Sequence, residues 1–137
     1  MIHRIIYQSI AHPRFGTDHV DQVLYTARRN NRRDGITGLL IQQDRAFFQC
    51  LEGEKSAVLA CFLRILSDWR HQEVQLIHAA DRPSREFGEW AMAYGDAARF
   101  VTGANGAAVA CDLATAEDPK LAELIARFVR DHEIALV

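Results

Sequence analysis

Residues 36–53 read ITGLLIQQDRAFFQCLEG: two apolar runs, 36–41 and 46–51, joined by Gln42-Gln43-Asp44-Arg45 and closed by Gly53. Short runs rich in Ile and Phe on either side of a polar link predict a hairpin of two strands. Upstream of it, Val20, Val23, Leu24 and Ala27 recur at i, i+3, i+4 and i+7 behind Thr17 as N-cap, which predicts an amphipathic helix ending near Asn31. Before that helix, residues 2–10 read as a strand closed by Pro13 and Gly16, with Ile5, Tyr7 and Ser9 on one face. Downstream, apolar residues at 58, 62, 65, 66 and 69 predict a second helix from Lys55 to about Trp69. Residues 74–78 and 90–94 read as two further strands, separated by a polar loop containing Pro83.

The resulting order, β-α-β-β-α-β, is that of an α+β, ferredoxin-like arrangement with an added fifth strand and a C-terminal helical extension. Strands one and three are expected side by side and parallel, with both helices on one face of the sheet. Near the C-terminus, Asp118 and Pro119 read as N-cap and N1 of a last helix. Its residues Leu121, Leu124, Ile125, Phe128 and Val129 form a stripe that the open face of the sheet or a partner subunit must cover. The expected organisation is one domain over residues 1–98, followed by a loop and amphipathic helix over 99–137 that pack on the domain or on a partner.

With 137 residues, 49% of them hydrophobic, the chain can build one core. A net charge of -2 provides no cationic field, so nucleic acid is not an expected ligand. Cys50, Cys61 and Cys111 are widely spaced with no C-x-x-C pattern, and read as reduced, buried thiols of an intracellular protein. The histidines lack metal-site spacing, and no run approaches the ~18 apolar residues of a membrane span. No metal and no membrane association are therefore expected, and the location is expected to be cytoplasmic.

Several polar residues fall where the pattern calls for apolar ones. Continuing the phase of helix one places Asn31 on its core side, with Asn30 one row away; capping of the helix end is the competing reading. Gln49 shares a strand face with Phe47 and Leu51, and a buried amide left unsatisfied costs about 1–3 kcal/mol. If strands one and three are neighbours, Tyr7 lies beside it, and a Tyr–Gln core hydrogen bond without a ligand is the plain alternative. Arg64 and Asp68 are four apart on helix two, above the small residues Cys61 and Ala57, and an exposed ion pair is the plain reading there. Taken together, these residues surround one crevice with amide, guanidinium and carboxylate groups in apolar walls. That chemistry suits a planar heterocycle with carbonyl and N–H edges. Neither G-x-G-x-x-G nor a P-loop is present, so a phosphate-first site is not expected.

Five stretches then resemble the BLUF family, the sensors of blue light using flavin adenine dinucleotide, across about two-thirds of the chain. They are Tyr7-Gln8-Ser9, Asn31-Arg32-Arg33-Asp34-Gly35-Ile36-Thr37-Gly38, Phe47-Phe48-Gln49-Cys50-Leu51-Glu52-Gly53, Asp68-Trp69-Arg70-His71 and Phe87-Gly88-Glu89-Trp90-Ala91-Met92. The resemblance implies a non-covalently bound flavin, FAD with FMN or riboflavin as alternatives, in a photoreceptor that does not itself turn over a substrate. It implies Tyr7 as photochemical donor and Gln49 as the switch. It also implies Asn30, Asn31, Arg64, Asp68 and His71 as flavin contacts, and Trp90 and Met92 as the relay of the signal. A downstream effector protein and a homo-oligomer are the expected partners. Two other functions fit parts of the pattern: a small ferredoxin-like hydrolase of acyl phosphates using Asn31 and Arg64, and a flavin-free dimerisation module.

Overall fold

The computed structural model describes residues 1–16, 20–88, 93–96 and 118–131. In chain order the elements are β1 (Ile2–Ala11), α1 (Val20–Asp34), β2 (Thr37–Gln43), β3 (Ala46–Gly53), α2 (Lys55–Leu66), β4 (His71–Arg82), β5 (Ala93–Asp96) and α3 (Pro119–Asp131). Thr17, Trp90, Met92 and Cys111 lie outside the described residues.

The sheet runs β4-β1-β3-β2-β5. β2 and β3 form the expected hairpin, with Leu40 opposite Gln49 and Gln43 opposite Ala46. Its two-residue turn places Asp44 at φ 52°, a left-handed conformation that Asp tolerates better than most residues. β1 and β3 are neighbours, as expected, but antiparallel and not parallel, with Tyr7 directly opposite Gln49. Connectivity supplies the reason. The α1 crossover makes β1 and β2 parallel to one another, and the hairpin then turns β3 back between them.

α1 runs three residues past the expected end at Asn31. It stops where Gly35 takes φ 69° and the Ile36 N–H donates to the Asn31 carbonyl at 2.9 Å, a Schellman closure. Gly35 therefore performs the capping, and Asn30 and Asn31 lie inside the helix. α2 stops earlier than expected: the Ser67 N–H bonds back to the Arg64 carbonyl at 3.2 Å and the Asp68 N–H to the Ile65 carbonyl at 3.0 Å, and Asp68 and Trp69 lie beyond the helix end. The Arg64 and Asp68 side chains are thus not stacked on one helical row. β4 is longer than the expected 74–78, because β1 offers a full edge for it to pair along. Exposed residues fall in adjacent pairs at 72–73 and 75–76, beside the register shifts against β1, which breaks the period-two apolar signal.

Gly38 is fixed by close approach: a Cβ there would meet the Cys50 carbonyl oxygen at 2.1 Å. No side chain other than hydrogen fits between the paired strands at that point.

Alternation along the strands splits the core in two. Ile5, Tyr7, Leu40, Phe47 and Leu51 face α1 and α2, meeting Leu24, Val58 and Cys61. Ile6, Leu39, Ile41, Phe48 and Cys50 face the other way, against Leu121, Leu124, Ile125 and Phe128 of α3. The two earlier helices share one face, and the open face of the sheet receives the α3 stripe. Asp118 caps α3 as expected, accepting from the Lys120 N–H at 3.0 Å. The same carboxylate forms an ion pair with Arg4 of β1, whose side chain is 1% exposed. Arg4 also donates to His78 Nε2 of β4 at 2.9 Å. Burial of a charge is costly unless it is paired, so this cluster fixes where the start of α3 sits on the sheet.

Candidate functional site

Between the sheet and the helices α1 and α2 lies a cavity of about 240 Å³, lined by residues from β1, α1, β2, β3, α2 and the start of β4. Val23, Ala27, Leu40, Phe47 and Ile65 supply apolar walls, while Tyr7, Asn30, Asn31, Gln49, Arg64, Asp68 and His71 supply the polar groups. Every candidate site residue within the described part of the chain therefore borders one space. Trp90 and Met92 fall outside that part.

At the floor, cross-strand pairing places Tyr7 and Gln49 side by side. The Tyr7 hydroxyl donates to Gln49 Oε1. Both are nearly closed to water, at 3% and 8% exposure. Burial pushes the Tyr7 pKa well above its ordinary value, with the negative potential of Cys61 and Asp68 adding to it. The phenol is thus strongly biased toward its neutral form, and losing the proton alone is unfavourable. The Tyr7 ring packs on Phe62 at 5.4 Å between centroids and meets His71 edge-on at 6.2 Å.

His71 is held from two sides, with Nε2 at 2.6 Å from the Ile65 carbonyl and Nδ1 at 3.0 Å from Ser9 Oγ. A carbonyl only accepts, so Nε2 carries a proton, while Nδ1 pairs with the Ser9 hydroxyl, which can act as donor or acceptor. Ser9 itself lines the cavity.

Asn31 is buried at 2% exposure, on the inner side of α1. Arg64 stands at the rim, half exposed, and donates to Asp34 Oδ2 of α1 at 3.2 Å. Asp68 turns to Arg70, accepting from its backbone N–H at 3.0 Å and pairing with its guanidinium at 2.8 Å. Burial works to raise the Asp68 pKa, but the Arg70 hydrogen bonds and charge, with His71, hold it below the usual carboxylate range. The expected Arg64–Asp68 pair is thus replaced by two others, Arg64–Asp34 and Asp68–Arg70, because α2 ends between its members.

Thr26, Ser9, Arg70 and Cys61 also line the cavity and were not among the candidates. Three of them were within reach of the pattern. Thr26 precedes Asn30 by one helical row, Ser9 alternates with Tyr7, and Arg70 sits inside the stretch 68–71. Cys61 reads in the sequence as a small residue under Arg64; burial raises its thiol pKa, against the lowering effect of Arg64. Among the described residues, no helix is long and apolar enough to cross a membrane.

This donor set fits a flat heterocycle: buried amides for a carbonyl and N–H edge, apolar walls for its faces, and a charged rim. Comparison with known proteins agrees. A family model described as sensors of blue-light using FAD matches residues 2–93. The photoactivated adenylate cyclase subunit beta of Euglena gracilis is 39% identical over 71 residues, which is 51% of this chain and 8% of that protein. The chain spans less than a tenth of the first curated relatives it matches, 8% and 9% of their lengths. Among solved structures, Klebsiella pneumoniae BlrP1 with FMN and cyclic diGMP superposes with a TM-score of 0.82 at 28% identity, covering 96% of this chain and 35% of that one. A structure titled BlrP1 BLUF gives 0.82 at 27% identity, covering 100% and 95%.

Proposed function

The chain belongs to the BLUF family of flavin-binding blue-light sensors, and from that premise we propose that Tyr7 and Gln49 form its photochemical switch. The observation that carries this reading is the buried hydrogen bond from the Tyr7 hydroxyl to Gln49 Oε1 at the floor of the cavity.

Flavin, when bound and excited by blue light, supplies the chromophore and an acceptor for one electron. Tyr7 is the donor. Because burial disfavours its anion, it gives up its electron together with its hydroxyl proton. The hydroxyl proton would pass along the bond it already makes to Gln49 Oε1, and the amide would release one of its own N–H protons to the acceptor that took the electron, so that no charge stays on Gln49. A neutral amide has a carbonyl at one end and two N–H donors at the other, so it satisfies two hydrogen-bond patterns with almost the same shape. Each net hydrogen bond contributes about 1 kcal/mol, so rotation of the Gln49 amide, which leaves its bonding intact, separates two states by only a few kcal/mol; tautomerisation of the amide is the alternative rearrangement. A switch needs that small separation.

Asn31 binds the polar edge of the ring from α1, with Asn30 beside it, while Arg64 and Asp68 flank its remaining polar atoms. His71, held by Ser9 and the Ile65 carbonyl, is the remaining flavin contact and packs edge-on against Tyr7. FAD is the proposed form, with FMN or riboflavin as the alternatives. The altered hydrogen bonding passes across the sheet, with Trp90 and Met92 as relay, to a downstream effector protein. BLUF domains are photosensors and not enzymes themselves, and this domain acts on that effector without turning over a substrate, as a cytoplasmic homo-oligomer. α3 and the segment before it, residues 99–137, set the contact with partners.

An absorbance spectrum tests the reading. The purified protein is expected to be yellow, with a visible band that moves to the red under blue light and returns in darkness. A colourless protein, or a bound flavin whose band never moves, would remove it.

A further inference from the structure

We propose that Glu52 is a positioning residue for signal output: it locks the segment leading into β5 onto the strand that carries Gln49, so that rearrangement at Gln49 reaches Phe87 and α3. The inference rests on the photoreceptor reading above.

Glu52 lies three residues beyond Gln49 on β3, about 10 Å along a strand. The odd spacing puts it on the opposite face, with Phe48 and Cys50, where α3 packs. An apolar side chain is the usual occupant of such a position, yet this one is a carboxylate with 1% exposure. It is bonded to three separate places. Oε1 accepts from Thr37 Oγ1 of β2 at 2.7 Å and from the Phe87 N–H at 2.9 Å. Oε2 accepts from the Glu86 N–H at 2.8 Å. Arg85 closes the arrangement, donating to Thr37 Oγ1 at 2.9 Å, to the Glu52 carbonyl at 3.3 Å and to the Gly35 carbonyl at 2.8 Å.

The side chain of Glu52 thus ties the segment 85–87 to β3 and β2, and Arg85 ties it to the end of α1. Phe87, 4% exposed, belongs to the same cluster as Leu121, Leu124 and Phe128. A buried carboxylate is tolerated only while its bonds are kept, so a displacement of β3 has to carry residues 86 and 87 with it. From there the contact to α3 is direct packing, and close-packed side chains transmit small shifts.

Hydrogen–deuterium exchange of the full, flavin-loaded chain in darkness and under blue light tests this, with the red shift recorded alongside. In the unmodified protein, light is expected to change exchange in residues 85–88 and 119–131. Glu52→Gln keeps the shape but turns an N–H donor toward the Glu86 N–H. It is expected to keep flavin and the full red shift while the light-driven change at 119–131 falls about fivefold, the factor one net hydrogen bond implies. Thr37→Val removes the hydroxyl between Glu52 and Arg85 and is expected to act in the same direction. It decides the matter if Glu52→Gln does not fold. An undiminished response at 119–131 in whichever variant folds, or an unmodified protein that shifts its band without any change at α3, overturns the role of Glu52. Absence of the red shift in the unmodified protein instead overturns the photoreceptor reading itself.

Discussion

Replacing Asp118 by Asn separates the two tasks this carboxylate performs. Asn caps helices about as well as Asp, so the bond from the Lys120 N–H survives and the start of α3 stays formed. What disappears is the negative charge beside Arg4, a guanidinium with 1% exposure whose Nε already finds no acceptor among the described residues. Breaking a buried pair from one side costs about 3–5 kcal/mol, since the remaining charge stays out of water without its counter-ion. Asp118→Ala loses the cap as well and costs about 1 kcal/mol more. Urea unfolding followed by circular dichroism reads both. With a slope of about 1–3 kcal/mol per molar urea, Asp118→Asn is expected to lower the midpoint by at least about 1 M. The loss should be nearly unchanged by added salt, because buried pairs are weakly screened. A loss below about 1 kcal/mol, or one that salt abolishes, would mean that the pair behaves as a surface contact, and the account of how α3 is seated would be wrong.

Tyr7→Phe is expected to bind flavin and show no reversible band shift; a normal photocycle in that variant excludes Tyr7 as donor. Gln49→Leu is likewise expected to hold the chromophore without switching, and an unaltered shift would exclude the amide as the moving part. Gly38→Ala forces a Cβ to within 2.1 Å of the Cys50 carbonyl oxygen, and is expected to cost at least about 1–3 kcal/mol in thermal or urea unfolding; a neutral result would mean that the hairpin parts easily there. His78 has its pKa lowered, by burial first and then by Arg4, with Lys120 and Arg82 adding to the effect and Asp118 opposing it. The unfolded chain therefore takes up a proton at His78 before the folded one does, so stability falls as pH drops below 6.5. His78→Gln retains an acceptor for Arg4 and should flatten that part of the stability–pH profile; an unchanged slope assigns it to another group.

Apolar pattern carried the fold well, as continuous runs where strands are buried on both faces and as helical spacing where one face is buried. The hairpin, the inner face of α1 and the α3 stripe are each written in apolar spacing, and the tertiary contacts agree with them. Element ends were harder. Gly35 and Ser67 decide where α1 and α2 stop through backbone bonds that spacing does not encode, and that moved Asn31 into a helix and Asp68 out of one. The direction of β3 against β1 follows from connectivity, not from any residue, and was misjudged as parallel. At the site, Asn31 and Gln49 are legible because an amide at a core position is itself a signal, whereas Arg64 and Asp68 also read as an exposed ion pair and His71 follows from the resemblance alone. The partners were less legible: nothing in the spacing of Arg64 and Asp68 reveals that Asp34 and Arg70 hold them, since those contacts depend on where the helices end. The ionic seat of α3 was also invisible, because Arg4 reads as an ordinary polar residue near a strand end.

The seating of α3 on the far side of the sheet bears on how such a sensor is grafted to other proteins. A fusion that cuts the chain just after β5 would leave Ile6, Leu39, Ile41 and Phe48 facing water, together with an orphaned guanidinium at Arg4. Exposed apolar surface of that kind favours aggregation. A junction placed beyond Asp131 keeps the seal and hands the next module a helix already anchored to the light-sensing strands, so the choice of splice point decides whether the graft is soluble and whether it is driven.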